Sequence, residues 1–253
     1  MKCGYRVLPV TVGRESAGRA TLSRSVRLFR LFLREQADPD LFYTALAADS
    51  VQQIATFTTL AGRTVLDVGG GPGYFAGAFV REGARYVSVE LDVQADLPPG
   101  TAAVRASGTA LPFLTGSIDV VYCSNVVEHV RETSALVSEL IRVTAPAGTV
   151  FLSYTLWWSP WGGHETAPWH YLGGRYARNR YLHRNGCEPK NRFGESLFAV
   201  RLDSVLRIIA SRDDVELLRL FPRYHPRWAW WTVQVPIVRE LLTWNAAFVI
   251  RRR

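Results

Sequence analysis

Val65-Leu66-Asp67-Val68-Gly69-Gly70-Gly71-Pro72-Gly73-Tyr74-Phe75 is the stretch on which the fold turns. Val65 to Val68 is a short apolar run ended by glycines, the pattern of a strand buried in a parallel sheet. A glycine-dense turn follows, and Phe75-Ala76-Gly77-Ala78-Phe79-Val80 then opens a helical pattern. Strand, turn and helix of this kind form a cradle: backbone N–H groups face a ligand, glycines let it approach, and the helix N-terminus favours electron-rich groups. Gly71 to Ala76 fits the GxGxxG/A dinucleotide pattern, and Glu90 stands nineteen residues beyond Gly71, where a ribose-binding acid belongs. Two details point elsewhere. Asp67 ends the strand two residues before Gly69, where a nicotinamide-binding strand stays apolar, and Gly69, Gly71 and Gly73 make the pattern D-x-G-x-G-x-G. A carboxylate there suits a ligand with an ammonium group and no pyrophosphate, although a glycine run alone does not choose.

Outward from this stretch the chain alternates helical and strand patterns. Residues 1–20 show no period and read as a loose arm. From Ser23 to Glu35 the pattern is helical, with Arg24, Arg27, Arg30 and Arg34 on one side and Val26, Leu28, Phe29, Phe32 and Leu33 on the other. Asp38-Pro39-Asp40 breaks it, and Leu41 to Leu60 resumes a helix leading to the first strand. This segment reads as a helical cap packed on the domain; its alternative use is a basic amphipathic helix lying on an anionic membrane surface. Beyond the glycine turn, Gly83 to Glu90 is a second strand with its acid at the carboxyl end, where ligands of doubly wound sheets collect. Glu90 there can accept two hydrogen bonds from a ribose diol, and Asp92 and Asp96 are further candidates. Ala102 to Arg105 is a short third strand.

The segments that follow are the specific ones. Ala106-Ser107-Gly108-Thr109-Ala110-Leu111-Pro112-Phe113 is followed by Gly116-Ser117-Ile118-Asp119, an apolar fourth strand, and Asn125-Val126-Val127-Glu128-His129-Val130. In this order, after the glycine turn, they resemble class I S-adenosylmethionine-dependent methyltransferases, within them the small-molecule branch called methyltransferase type 11. The likeness runs from about Arg63 to Thr155. It implies an α/β, Rossmann-like, doubly wound and mostly parallel seven-stranded sheet closed by an antiparallel C-terminal hairpin. It implies S-adenosyl-L-methionine as cofactor, held by Asp67, Gly69, Gly71, Gly73, Glu90, Ser107, Gly108 and Asn125. One position departs: the family usually carries an aspartate where Ser107 stands, to hold the adenine amino group, and a serine bonds that edge less strongly. A nicotinamide dehydrogenase has no reason to carry the last two segments.

The C-terminal half fits the same plan. Thr149 to Ser153 reads as the fifth strand, Asp203 to Ile209 as a helix, and Val215–Leu220 and Asn245–Ile250 as the closing hairpin. The expected division is a 1–60 arm and helical cap and a 61–253 methyltransferase domain, with 155–199 inserted as a lid over the acceptor. That insertion carries Trp157, Trp158, Trp161, His164, Glu165, Trp169, His170 and Tyr171, with no clean period. An irregular aromatic segment after the fifth strand belongs over the carboxyl edge, where it would shape an acceptor pocket and exclude water. Trp157, Trp161, His164, Glu165, Trp169 and His170 are the candidate substrate-binding residues.

Composition bounds the rest. The chain has 253 residues, 48% hydrophobic, enough for one α/β domain with an elaboration. No run approaches the roughly 18 uncharged apolar residues of a spanning helix, and Met1 to Arg6 lacks a signal-peptide core. Three scattered cysteines suggest neither a disulfide framework nor a zinc site, so a cytoplasmic home is expected, with membrane contact through residues 23–35 as an addition. The net charge is +8, and all but two of the 30 basic residues are arginine. Charge alone does not choose among phosphates, nucleic acid and lipid headgroups.

Methyl transfer from a sulfonium is chiefly a matter of alignment, but an alcohol acceptor must also lose its proton. The candidate bases are the five histidines, His129, His164, His170, His183 and His225, with His129 and His164 the catalytic candidates. His164 beside Glu165 reads as a base with its orienter. The spacing of His164, Glu165 and His170 is not that of a zinc helix, so no metal is expected. Tryptophans beside histidine and arginine suit a sugar ring, a lipid chain or an aromatic product, and O-methylation of a sugar, glycolipid or related small molecule is the reading adopted. Arg175, Arg178, Arg180 and Arg184 either meet an anionic group on the acceptor or form a solvated helix face. The alternatives are a methyltransferase acting on RNA or another nucleic acid, for which no binding module or Asn-Pro-Pro-Tyr/Phe motif is seen, and a non-catalytic protein retaining the fold.

Overall fold

In the computed structural model, residues 20–35, 37–92 and 97–253 are described; the arm up to residue 19 and Asp96 lie outside them. Helix α1 (Leu22–Phe32) starts at Thr21, whose hydroxyl accepts from the Arg24 N–H at 3.2 Å, and α2 (Pro39–Ile54) at Asp38, whose carboxylate accepts from Leu41 N–H at 3.1 Å. Pro39 at the first helical position costs no hydrogen bond there. Then come β1 (Thr64–Val68), α3 (Ala76–Arg81), β2 (Arg85–Glu90), β3 (Ala102–Arg105), β4 (Ile118–Ser124), α4 (Thr133–Val143) and β5 (Thr144–Thr155). The insertion holds α5 (Gly174–Asn185), and α6 (Leu202–Ala210), β6 (Val215–Pro222), α7 (Val238–Leu242) and β7 (Asn245–Arg252) complete the chain.

The seven strands run in the order β3-β2-β1-β4-β5-β7-β6. Neighbours from β3 to β5 are parallel, and β7 is antiparallel to both β5 and β6. The chain winds outward in both directions from β1, which opens a crevice at the carboxyl ends of β1 and β4. Period-two alternation divides the core. Leu66, Val68, Val121, Cys123 and Leu152 face α4 and α6, while Val65, Tyr122, Phe151, Ala247 and Val249 face α2 and α3. These side chains are under 2% exposed, and the valines, leucines and phenylalanine among them contribute roughly 1.5–3 kcal/mol of burial each.

The outer segments depart from expectation in instructive ways. Arg24 is not on the solvent side of α1. It is buried in a bidentate pair with Asp49 of α2, Nε–Oδ1 2.5 Å and Nη2–Oδ2 2.6 Å, and Nη2 also reaches the Arg223 carbonyl at 3.1 Å. Periodicity counts an arginine as solvent-facing, but a buried carboxylate on the next helix reverses that. Val26 and Leu33, expected inside, are exposed, and the inward face is Arg24, Leu28, Phe29 and Phe32. The segment after β4 is a single 3-10 turn, Val127–His129. The insertion folds into two 3-10 turns, His164–Thr166 and Trp169–Leu172, and then α5. On α5, Arg178 pairs with Glu188 at 2.8 Å and Glu195 at 2.7 Å, and Arg180 lies 3.9 Å over the Trp169 ring. Arg175 and Arg184 stay exposed. No described helix is long and apolar enough to cross a membrane.

Candidate active site

The turn after β1 has the shape its glycines require. Gly69, Gly71 and Gly73 have φ of +81°, +56° and +91°, a region that L side chains rarely adopt. A Cβ on Gly69 would stand 2.2 Å from Val126 Cγ2, so the turn lies tight against the segment after β4. A Cβ on Gly71 would meet nothing within 4 Å, so the turn opens to a ligand on that side. The Gly71 N–H donates to a Glu90 carboxylate oxygen, which places the β2 acid at the lip of the turn. This is a cradle with an acid at its rim, and it fits a ribose-bearing ligand.

Asp67 supports the turn from beneath. It is 1% exposed and accepts from the Tyr86 hydroxyl at 2.5 Å. A Cβ on Gly70 would come within 3.0 Å of Asp67 Oδ2, and within 2.7 Å of Ser88 Oγ, so the glycine backbone rests directly on this group. Burial pushes the Asp67 carboxyl up to about 7, opposed by the Tyr86 bond and reinforced by Glu90. Tyr74 continues the turn upward: its ring stacks on Tyr43 of α2 at 5.0 Å, and its hydroxyl donates to Asp40 at 2.8 Å. Tyr43 in turn donates to Glu35 at 2.6 Å. The helical cap therefore roofs the cradle.

Across the crevice, Ser107 spends its hydroxyl on its own turn, at 2.8 Å from Thr109 Oγ1 and 3.2 Å from the Thr109 N–H. Gly108 lies close to Val68 and Leu136; a Cβ there would sit 2.8 Å from Leu136 Cδ1. Asn125 holds φ +57°, with its N–H on the Ser153 carbonyl at 2.7 Å and its Oδ1 accepting from Asn245 Nδ2 at 2.7 Å. Asp92 follows β2 in an exposed bend.

The insertion brings some predicted side chains together and separates others. His164 lies beside His129, ring centroids 5.3 Å apart, and burial lowers it to about 4. Glu165 does not orient His164; it is exposed and accepts from Asn191 Nδ2 at 2.9 Å. Trp157 and His170 are buried inside the insertion, against each other and, for Trp157, Phe193. They pack the insertion from within. Trp161 meets Phe29 and Phe32 of α1 and Trp244 near β7, so the insertion and α1 share one aromatic joint. Trp169 is exposed beneath Arg180. His183 is exposed on α5, and His225 packs on Trp244, where burial lowers it.

Two residues escaped the sequence reading. Glu128 is 1% exposed; its Oε1 accepts from Thr155 N–H at 2.9 Å, its Oε2 has no partner, and burial pushes its carboxyl up against the pull of His129. A lone glutamate between valine and histidine carries no signal of such burial. Arg223, also 1% exposed, donates to Ser124, Ser153, Ser50 and Tyr122 at 2.6–2.9 Å, joining α2, β4, β5 and β6 behind the crevice. Its only sequence trace is its place in an aromatic run.

A doubly wound sheet with an antiparallel hairpin, a glycine cradle and an acid closing β2 defines a class I methyltransferase architecture. Residues 66–152 match the model of a methyltransferase domain family. An uncharacterized methyltransferase of Mycobacterium sp. (strain KMS) is 52% identical over 247 residues, covering 93% of this chain and 97% of that one. One from Mycobacterium tuberculosis (strain ATCC 25177 / H37Ra) is 48% identical, covering 92% and 96%. A crystal structure of an S-adenosylmethionine-dependent methyltransferase from Mesorhizobium loti shares the fold, with a TM-score of 0.57, 18% identity, and coverage of 81% of this chain and 98% of that one. The chain belongs to the S-adenosylmethionine-dependent methyltransferases, and S-adenosylmethionine is its cofactor.

Proposed function

We propose that this methyltransferase transfers its methyl group to a hydroxyl oxygen of a sugar, a glycolipid or a related small molecule. The observation that carries the reading is the meeting of Glu128, His129 and His164 where β4 ends and the aromatic insertion begins. N- and S-acceptors with a free lone pair need little proton handling, whereas an alcohol needs a site that removes its proton. Two imidazoles and a buried carboxylate under an aromatic lid make such a site.

S-adenosylmethionine supplies, when bound, a methyl group on a positively charged sulfur that is already activated for in-line displacement. The residues of the chain do the rest. Glu90 and the turn from Gly69 to Gly73 hold the ribose side, Gly108 and Ser107 border the adenine side, and Asn125 lines the crevice. His129 has its Nδ1 on the Ser196 carbonyl at 2.6 Å, which fixes the ring beside Glu128 and His164, the group that would handle the proton of an acceptor hydroxyl. The insertion excludes water, and Trp169 with Arg180 offers a flat, charged surface to a ring carrying an anionic group. For a lipid-linked acceptor, the working place is the inner face of the membrane. The exposed side of α1, with Leu22, Val26 and Leu33 beside Arg27, Arg30 and Arg34, has the composition that meets anionic headgroups.

The test is to incubate the protein with donor labelled in its methyl group and with extract fractionated into lipid, glycan, RNA and small-molecule pools. Alkali-stable ether label in the glycan, lipid or small-molecule pool is expected. Label confined to RNA, with binding that falls steeply with salt, would overturn the reading.

A further inference from the structure

We propose that Glu128, His129 and His164 form a binding site for one divalent transition-metal ion, zinc by the chemistry of the ligands, which clasps the lid to the sheet. One ligand atom from each of the three lies within 4.8 Å of the others. Ions bound at ~2.1 Å by imidazole and carboxylate need ligand atoms ~3–4 Å apart, so side-chain rotation alone closes this set onto one ion.

The surroundings are those of a ligand set rather than of three side chains that happen to pack. Glu128 Oε2 and His164 Nε2 are both buried and have no hydrogen-bond partner, a costly arrangement that a cation would satisfy. Two of the three ligands are also held from behind. The second oxygen of Glu128 accepts from the Thr155 N–H at 2.9 Å, and His129 has its Nδ1 on the Ser196 carbonyl at 2.6 Å, which directs Nε2 to the cluster. An imidazole aimed by a carbonyl on its other nitrogen is the usual support of a metal-ligating histidine. His164 stands at φ +47°, a backbone cost for a residue with a Cβ, and one that is tolerated where the side chain must be aimed.

Two imidazoles and one carboxylate suit zinc and its first-row neighbours better than magnesium or calcium. Three protein ligands leave a position open from outside, as in catalytic rather than structural zinc sites. Resting on the reading above for the acceptor but not for the ion, the open position takes the acceptor hydroxyl oxygen. With an ion in place the imidazoles would be its ligands, and the cation would make a hydroxyl held at the open position more acidic, so that its proton passes to solvent. The ion also joins His164 of the insertion to the turn after β4, so that the lid is ordered when it is bound.

The experiment needs no acceptor. Protein stripped with chelator is titrated calorimetrically with Zn²⁺, and a Co²⁺-loaded sample is examined for the visible bands of a four- or five-coordinate ion. One ion per chain is expected, with affinity falling by more than ~100-fold in His164→Ala and in Glu128→Gln, which keeps the shape of the side chain and its bond from Thr155. His183→Ala, on the exposed side of α5, should bind as the wild type does. Binding of S-adenosylmethionine should survive in each variant, which reports folding separately. Absence of stoichiometric binding, or affinity unchanged in Glu128→Gln, would overturn the metal site and leave the labelled-methyl test of the acceptor untouched. Loss of label from hydroxyl acceptors with the ion still bound would instead overturn the acceptor reading alone.

Discussion

At the scale of single residues, two carboxylates at the glycine turn differ in their surroundings. Glu90 sits at the lip of the turn, half-open to a ligand, while Asp67 is sealed beneath it and holds its proton to about pH 7 against an ordinary value of 3.8. The sign follows from burial. Because the folded value lies above the unfolded one, the contribution of the neutral group to stability is full below about 3.8 and is lost as pH rises towards about 7. A cationic ligand nearby favours the charged form. S-adenosylmethionine binding should therefore tighten as pH rises from about 5 to about 7, release a proton over that range, and level off above it. Calorimetry in buffers of different ionisation enthalpy reads the released proton, and Asp67→Asn should flatten the profile; a flat profile in the wild type would remove Asp67 from the binding energetics. The cradle residues were legible because glycine spacing and a strand-ending acid are local signals. Glu128 and Arg223 were not, because a buried charge is recognised by its partners, and those lie far along the chain.

At the scale of elements, strands read well and helix faces less so. The third strand falls on Ala102–Arg105 as expected and the second, fourth and closing strands within a residue or two, since each apolar run sits between clear turn residues. The fifth was expected over Thr149–Ser153 and runs from Thr144 to Thr155, passing through Pro146 and Gly148. Helix α1 shows the larger failure, because its inward face includes an arginine. That pair now makes a prediction. Arg24 and Asp49 have side chains only 8% and 5% exposed, and removing one partner of such a pair leaves an unmatched buried charge. Asp49→Ala should cost about 3–5 kcal/mol in denaturant unfolding, whereas Arg30→Ala on the exposed side of the same helix should cost within about 0.5 kcal/mol. Equal, small effects would mean that α1 is not docked through this pair.

At the scale of the whole molecule, three parts meet at one edge of the sheet. The glycine turn and Glu90 form one side of the crevice, α2 packs on the turn through Tyr43 and Tyr74, and the insertion joins α1 and the residue before β7 through Trp161. The doubly wound parallel sheet with its antiparallel closing hairpin followed from the family resemblance, and its strand order came only with the structure. The internal build of the insertion was not legible in the sequence. Its residues have no period, and which tryptophans are buried and which exposed depends on contacts with α1, Phe193 and Trp244. The account as a whole depends on what the cradle holds. The most direct measurement is calorimetric titration of the wild type and of Glu90→Ala with S-adenosylmethionine and, separately, with NAD. The wild type should bind one S-adenosylmethionine per chain and no NAD. Glu90→Ala should lose about ten- to a hundred-fold in affinity, the worth of one charge-assisted hydrogen bond to the ribose. Binding of NAD, or S-adenosylmethionine affinity unchanged in Glu90→Ala, would contradict it.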